Sequence, residues 1–593
     1  MRSKRLWLPL LIYTLHALLW VVILPPWQGP DEPGHYEYAR LWAELGRPPR
    51  RSDTRYALQR EIILELDRHR FWARTRQPRP ATLPTHFEEN PFLRRSGSQL
   101  GNEFPLYYMI PMLIARATAR TQHHLYLARL WSALLGSLVV LAAIWGSPLL
   151  WREQRLQRAF PLLVALLPMP TFIHATFNST VFADVVGALF FLAAWKILRT
   201  SSARVKWWAI FLVLTVLAAV VKRTTWPLVP LALALAYLHP PEWLRSRRHL
   251  IPYALVGACV LLLLFPSVAT RAANWKMGKA RRPAVRVPLS THPTNHALLL
   301  DSWSARGSRA YVAQDLGERD VTTLLGSSVQ FRARVRSLEG DTWVCISVID
   351  RYTRSTACQS VTSTWSGWGV EHPVHPHTSF VRVVVGLGNP HTNTEQGRIL
   401  IDDLRLTAEG RGANLLHNGD VEQALSRWER VQQVLGWQLG RDDLAPQTVG
   451  RRLFWATAIL FTSFWGNFGW LQYPLPLPLY AVLAALTLVA LWGCLKRYRE
   501  CHRAHGCDAL WTFNMTSGVW VVAVNLISTL QPDWYPQGRY LFPALLPLLA
   551  MGVYGLSAWL PPARHGRALT AGLIGGSVLL ALASFLVVIL GMY

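Results

Sequence analysis

Acidic residues are scarce in this chain: 34 Asp and Glu stand against 61 Lys and Arg among 593 residues, a formal net charge of +27. An excess of that size first suggests a polyanionic partner such as nucleic acid. The basic residues, however, are scattered through short loops between apolar blocks, and membrane topology accounts for most of them, so no nucleic-acid partner is expected. Cysteine is also sparse. The six cysteines show no metal-ligand spacing: Cys259 lies in an apolar run, Cys494, Cys501 and Cys507 flank a basic loop, and only Cys345 and Cys358 share a polar region. That last pair can close a disulfide if its domain is exported. Phosphate-loop, G-x-S-x-G and H-E-x-x-H motifs are absent, which leaves cytosolic nucleotide hydrolysis and the common serine and zinc hydrolases without support.

What the chain has in abundance is apolar sequence. It is 51% hydrophobic and only 16% charged, and the apolar residues gather in blocks of about 18 to 24, the length at which a helix crosses hydrocarbon. The first block follows MRSKR, is too long for a signal h-region and has no small-x-small cleavage site after it, so it is expected to be a retained span. Spans are predicted near 7–25, 126–148, 158–175, 180–198, 207–221, 225–239, 250–268, 475–494, 509–529, 539–558 and 567–591, about eleven in all. The stretches 104–118 and 452–470 are open between spanning and lying at the interface. Reading both as interfacial places Arg152, Arg155, Arg158, Lys196, Arg199, Arg204, Lys206, Arg245, Arg247 and Arg248 inside, as the positive-inside rule asks. The loop 26–125, the region 270–450 and the turns HATFNST, KRTT and QPDWYPQGRY then face outward.

Residues from about 288 to 440 follow a different pattern. SSVQFRARVRS, TWVCISVID, SFVRVVVGLG and RILIDDLRL alternate or bunch β-formers at strand length between Gly, Asn, Pro and Ser turns, which predicts an all-β sandwich. The expected fold is thus a polytopic α-helical membrane protein with an inserted β-sandwich. Residues 1–269 form an N-terminal transmembrane module, 270–450 the outward β-domain with a basic linker at 270–287, and 451–593 a C-terminal module. Trp365, Trp368 and Trp428 are the candidates to stack on a sugar ring, with core packing as the alternative for one or more of them.

The chemistry is expected where the first span ends, in QGPDEPGHYEYARLWAEL. Asp31 and Glu32 sit between Pro30 and Pro33 at the start of a short helix, so Asp31 can act as its cap and Glu32 can favour its positive end. Held at the bilayer surface, the same carboxylates can instead accept a proton from a hydroxyl, and His35 can orient Asp31 or act on a phosphate. The two adjacent acids also offer oxygen ligands to a divalent cation, magnesium or manganese. Lys222 and Arg223 in VVKRTTW and Arg539 in PQGRY are cations on the same side, with snorkelling as the bland alternative. Asn178 reads as a helix cap, and Asp184 as an acid entering a span. SFWGNFGW is amphipathic and aromatic and predicts an interfacial helix.

The segment Pro30, Asp31, Glu32, Pro33 and His35, together with ALLPMPTFIHATFN, Asp184, SFWGNFGW and QGRYLFPALLPL, resembles the bacterial membrane family DUF2142. That family is in turn similar to the GT-C glycosyltransferases, multi-span enzymes that take sugar from a polyprenyl-phosphate carrier on the outer side of the membrane. NEFPLYY is similar to their H-P-P-L-Y-Y segment but carries Glu103 and Phe104 where histidine and the first proline stand. The resemblance implies a location in the bacterial inner membrane, with the β-domain extracytoplasmic. It implies Asp31 as the catalytic base, with Glu32 as its substitute or a metal ligand and His35 beside them, and Lys222, Arg223, Arg539, Asn178, Asp184, Tyr107 and Gln537 as candidates around the lipid phosphate. The partners are a polyprenyl-phosphate-linked sugar donor, a lipid-linked glycan or envelope polymer as acceptor, and membrane lipids. The end of the β-region, IDDLRLTAEG and NLLHNGDVEQALSRWE, resembles jelly-roll carbohydrate-binding modules, with Val421 in place of the usual aromatic. Two other classes compete: a transporter or flippase of lipid-linked glycan, for which no paired half-chains are visible, and a non-enzymatic glycan-binding surface protein, which leaves the outward acids unexplained.

Overall fold

The computed structural model describes residues 4–49, 55–85, 103–118, 120–199, 204–239, 276–278, 285–289, 296–304, 311–316, 318–350, 352–378, 380–388, 395–410, 412–422, 446–503, 506–530, 535–560 and 562–593, with Asp53, Phe87 and Leu93 singly. Six helices among them are long and apolar enough to cross a membrane: Thr121–Leu150, Thr180–Arg199, Leu477–Arg503, Ala509–Ser528, Gly538–Ser557 and Arg567–Met592. A seventh candidate is the pair Gln154–Leu166 and Pro168–His174, bent by 55°. Leu167 between them is extended at φ −65° and ψ 121°, as the residue before a proline prefers. The count of eleven spans is therefore corrected to six or seven among the described residues. The apolar helices Trp7–Ile23 and Val205–Val221 are shorter, and Leu228–Leu238 has 11 residues. The expected span at 250–268 lies outside the described residues.

The two open stretches resolve differently. Pro105–Tyr108 is a 3-10 turn leading into the helix Met109–Ala117, whose nine residues rise only about 14 Å against a hydrocarbon core of about 30 Å. Pro446–Trp465 is a 20-residue helix that carries Arg451 and Arg452 and is not among the span candidates. The interfacial helix expected through SFWGNFGW ends at Trp465. Beyond it Asn467–Phe468 pairs with Tyr473–Pro474 as a small antiparallel hairpin. Gly469 and Leu471 adopt positive φ in its turn, and the Trp470 indole donates to the Trp27 carbonyl at 3.1 Å.

One apolar core runs through the helices, with Trp20, Phe172, Phe190, Trp195 and Phe542 fully or almost fully buried. Two glycines set how closely its elements approach. A Cβ on Gly187 would lie 2.0 Å from the Pro543 carbonyl oxygen, and one on Gly538 would lie 2.1 Å from the Phe464 nitrogen. The 3-10 segment Gly538–Ala544 thus presses directly on both the Thr180–Arg199 helix and the end of the Pro446–Trp465 helix. A second apolar cluster, including Tyr36, Leu41, Ile62, Phe71 and Phe177, packs the loop after the first helix against the end of the Thr121–Leu150 helix.

The inserted region is an antiparallel β-sandwich, as its alternation predicts. Its strands are β1 Lys276–Gly278, β2 Val285–Pro288, β3 His296–Ser304, β4 Tyr311–Asp315, β5 Ser328–Ser337, β6 Thr342–Asp350, β7 Arg354–Val361, β8 Ser366–Pro373, β9 Val381–Leu387 and β10 Glu395–Ala408. They form two five-stranded sheets, ordered β1-β4-β9-β6-β7 and β2-β3-β10-β5-β8. Val329, Phe331, Ala333 and Val335 of β5 face Val344, Ile346, Val383 and Val385 from the other sheet in a common core. Cys345 and Cys358 stand opposite each other on β6 and β7 and form the expected disulfide.

Candidate functional site

The site grows from the end of the first helix. Asp31 precedes the helix Glu32–Leu45 with φ 63° and ψ 7°, a left-handed conformation, and its side chain makes no capping hydrogen bond. A non-glycine residue there costs about 1 kcal/mol or more, and such strain gathers at functional positions. The carboxylate turns instead to Arg539, whose Nη2 donates to Oδ2 at 2.6 Å. The Asp31 side chain is 32% exposed while that of Arg539 is 6% exposed, so the acid is the reachable member of the pair. Arg539 Nε and Nη1 are buried with no hydrogen-bond partner. The two unused nitrogens lie on opposite edges of the guanidinium and carry three N–H bonds between them, so they offer separate donors to an anionic group rather than one paired fork.

Glu32 has a different place. It is fully buried with Arg129, whose Nε and Nη2 donate to its two oxygens at 2.7 and 2.8 Å. The backbone N–H groups of Gly29 and Phe177 each add a bond at 3.1 Å. Arg129 also donates to the carbonyls of Leu24 and Pro25, and so ties the exit of the first helix to the Thr121–Leu150 helix. A hydroxyl or metal ion could reach Glu32 only by displacing these donors, which is the geometry of an anchor. Asp31 and Glu32 therefore do not fit a shared divalent cation, and no cluster of three or more His, Cys, Asp or Glu with metal-binding geometry occurs among the described residues.

Around Asp31 and Arg539 a second charged group assembles. Lys222 Nζ donates to Ser179 Oγ at 2.8 Å and to Thr180 Oγ1 at 3.3 Å, and lies 3.6 Å from Glu103 Oε2. Ser179 Oγ donates to the same Glu103 oxygen at 2.8 Å. His35 is buried, stacks on Tyr108, and pairs Nδ1 with the Tyr108 hydroxyl at 2.6 Å. Its imidazole is held well below its usual pKa by burial first, then by the charges of Lys222 and Arg539. His35 is thus a neutral group within electrostatic reach of both cations.

The other expected residues fall into place around this cluster. Asn178 caps the Thr180–Arg199 helix through the Thr180 N–H at 2.9 Å and grips the Pro30 carbonyl at 2.9 Å, which anchors the strained turn. Asp184 is fully buried one turn further into the helix. Its Oδ2 lies 3.3 Å from His174 Nε2, His174 Nδ1 lies 3.2 Å from the Tyr13 hydroxyl, and Oδ1 has no partner. Arg223 is exposed over Trp226. Tyr107 is buried and bonded to Ser132 at 2.7 Å, and its neighbour Tyr108 makes the contact with His35. Gln537 is half-buried at the entry to the 3-10 segment. In the β-domain Trp368 packs on the core, because the strand parity turns it inward, and this corrects its expected sugar contact. Trp365 lies under Arg334 and Arg336, and Trp428 falls outside the described residues.

Sequence reasoning missed Arg129, Glu103 and His174. Arg129 carried a usable signal, a lone charge in the apolar run LYLARLWSALLG. Glu103 was legible only as a departure from a familiar segment, and His174 only as part of a turn.

Residues 15–300 match the model of a family described as "Predicted membrane protein (DUF2142)". No curated protein matches the chain. Solved structures similar to the β-sandwich include TmCBM61 in complex with β-1,4-galactotriose, at 12% identity, covering 23% of this chain and 91% of that one, with a TM-score of 0.19. A family 16 carbohydrate-binding module has 13% identity, covers 24% and 97%, and has a TM-score of 0.18. A CBM4 structure has 11% identity, covers 23% and 86%, and has a TM-score of 0.17.

Proposed function

We propose that this membrane protein is a glycosyltransferase of GT-C type that moves a sugar from a polyprenyl-phosphate carrier to an acceptor hydroxyl on the outer face of the bacterial inner membrane. The observation that carries this reading is the Asp31–Arg539 pair: a strained, accessible carboxylate beside a buried guanidinium with two unused donors. Transfer needs a base for the acceptor and positive charge for the departing phosphate, and these two side chains supply one each. Asp31 takes the proton of the acceptor hydroxyl as its oxygen attacks the anomeric carbon. The bond from that carbon to the phosphate oxygen breaks, and polyprenyl phosphate leaves with the electron pair, its charge met by Arg539 and Lys222. A single displacement inverts the anomeric centre. Neutral His35 orients the site without adding a third positive charge. The β-sandwich is read as the module that holds a glycan acceptor.

The test is transfer of radiolabelled sugar from a panel of polyprenyl-phosphate donors in membranes carrying wild type or Asp31→Asn at matched expression. Loss of a general base lowers the rate by about 10²- to 10⁴-fold, so label should move with wild type and fall by that factor in the variant. Equal transfer in both would reassign Asp31 to a structural role. No transfer from any donor would turn the reading toward transport of lipid-linked glycan.

A further inference from the structure

On the solvent face of the sheet β2-β3-β10-β5-β8, strand β5 presents Arg332, Arg334 and Arg336 at alternate positions. Arg332 and Arg334 are exposed and Arg336 is half-exposed. Alternate residues on a strand stand about 7 Å apart on one face, so the three arginines leave the sheet in a row, with the guanidinium groups of Arg334 and Arg336 both turned to Trp365. Arg405 of β10 lies beside Arg332 in register and extends the row sideways, although its own Nε is paired with Asp403 at 2.7 Å. On the other flank, β8 places Gly369 opposite Arg332 and Gly367 opposite Arg334. A Cβ at Gly369 would stand 2.9 Å from Arg332 Cγ, and one at Gly367 3.4 Å from Arg334 Cγ. The glycines thus leave a smooth shelf over which the arginine stems lie. Trp365, just before β8, is covered by Arg334 and Arg336 at 5.5 and 5.2 Å from its ring centre.

Charge on this face is compensated only in part: Arg405 is paired with Asp403, and Glu371 of β8 is exposed on the same face. No carboxylate comes within ion-pair distance of Arg332, Arg334 or Arg336 among the described residues, and Arg336 Nε is buried without a partner. Asp402, opposite Arg334 across β10, is the acid in electrostatic contact with that arginine. Three guanidinium groups on one strand, none within ion-pair distance of a carboxylate among the described residues and with Asp402 offsetting Arg334, repel one another, so their arrangement favours a ligand with repeated negative charge. A single small anion would satisfy one of them and leave the row unexplained.

We propose that this sheet face is a binding surface for a linear glycan with repeated anionic groups, carboxylate or phosphodiester, laid along β5 with a sugar ring beside Trp365. The proposal rests on the reading of the β-sandwich as a glycan-holding module and is independent of the transfer reaction. A linear polymer fits this face better than a lipid surface does, because the arginines follow one strand and Trp365 is gripped by two of them rather than projecting freely.

The experiment uses the full chain in detergent, with binding measured to polygalacturonate, to its neutral methyl ester, to a poly(glycerol phosphate) and to vesicles of anionic phospholipid. Wild type should bind at least one of the two anionic polymers, bind the methyl ester at least about tenfold more weakly, and lose affinity as salt rises from low to high ionic strength. Arg334→Gln and Arg336→Gln should each weaken binding by about tenfold or more, the scale of one charge-assisted contact. Arg334→Lys should retain part of it. Matched thermal unfolding would show that the variants fold. Equal binding of the neutral ester would overturn the anionic assignment while leaving glycan binding intact. Binding of neither polymer would overturn both, and arginine-dependent binding of the vesicles alone would reassign the face to lipid.

Discussion

Replacing Arg129 tests how the site is held. In the native chain its guanidinium makes four hydrogen bonds, two to the Glu32 carboxylate and two to the carbonyls of Leu24 and Pro25, with no exposure of either side chain. Arg129→Met leaves a buried carboxylate supported by only the Gly29 and Phe177 N–H groups. Stranding one partner of a buried pair costs about 3–5 kcal/mol. Glu32→Gln strands the cation instead, though with two carbonyls still accepting from it. The double variant removes both charges, so its cost should fall short of the sum of the single costs by at least about 2 kcal/mol. Unfolding of the purified protein, followed by detergent or thermal titration across the four members of the cycle, measures this coupling. Costs that add to within about 0.5 kcal/mol would refute the anchor. A fully stable Glu32→Gln variant without activity would make Glu32 a chemical group after all.

Two further predictions concern the frame and the titration of the site. Gly538→Ala places a methyl 2.1 Å from the Phe464 backbone nitrogen, which should destabilise by about 1–3 kcal/mol or more and shift Arg539 with its segment; a melting curve unchanged from wild type would contradict that packing. His35 is buried with its pKa held well below 6.5, so the unfolded chain binds a proton there that the folded chain refuses. Its contribution to stability is therefore fully present above about pH 6.5 and declines as pH falls from there toward the folded value. The melting temperature of wild type should drop over that acid range more steeply than that of His35→Gln, and parallel curves would contradict the assignment.

The sequence revealed types of element better than their extents. Every expected span that falls among the described residues is helical, yet several are too short to cross a membrane alone, because apolar composition persists where proline has already broken the helix, as at Pro168. The β-sandwich was legible because alternation such as that of SSVQFRARVRS encodes one buried face and one wet face. The same parity, read one step further, turns Trp368 inward. SFWGNFGW read as helical through its aromatic spacing, but Gly466 and Gly469 carry the chain out of the helix into a hairpin. At the site, Asp31 and Arg539 were separately visible, whereas their contact across 508 positions depends on close packing at Gly187 and Gly538 that no local pattern encodes. That Glu32 is locked away while Asp31 stays reachable was not legible in the sequence, since the residue that buries Glu32, Arg129, lies in another helix.

In the proposed reaction Asp31 and Arg539 act together on a lipid-linked sugar phosphate. The measurement that tests it most directly is release of free polyprenyl phosphate, in step with glycosylated product, by wild type and Arg539→Gln in the same membranes. Loss of the guanidinium from the departing phosphate should slow release by about 10²- to 10³-fold, with the folded fraction unchanged. Release at the wild-type rate from Arg539→Gln would contradict the claim.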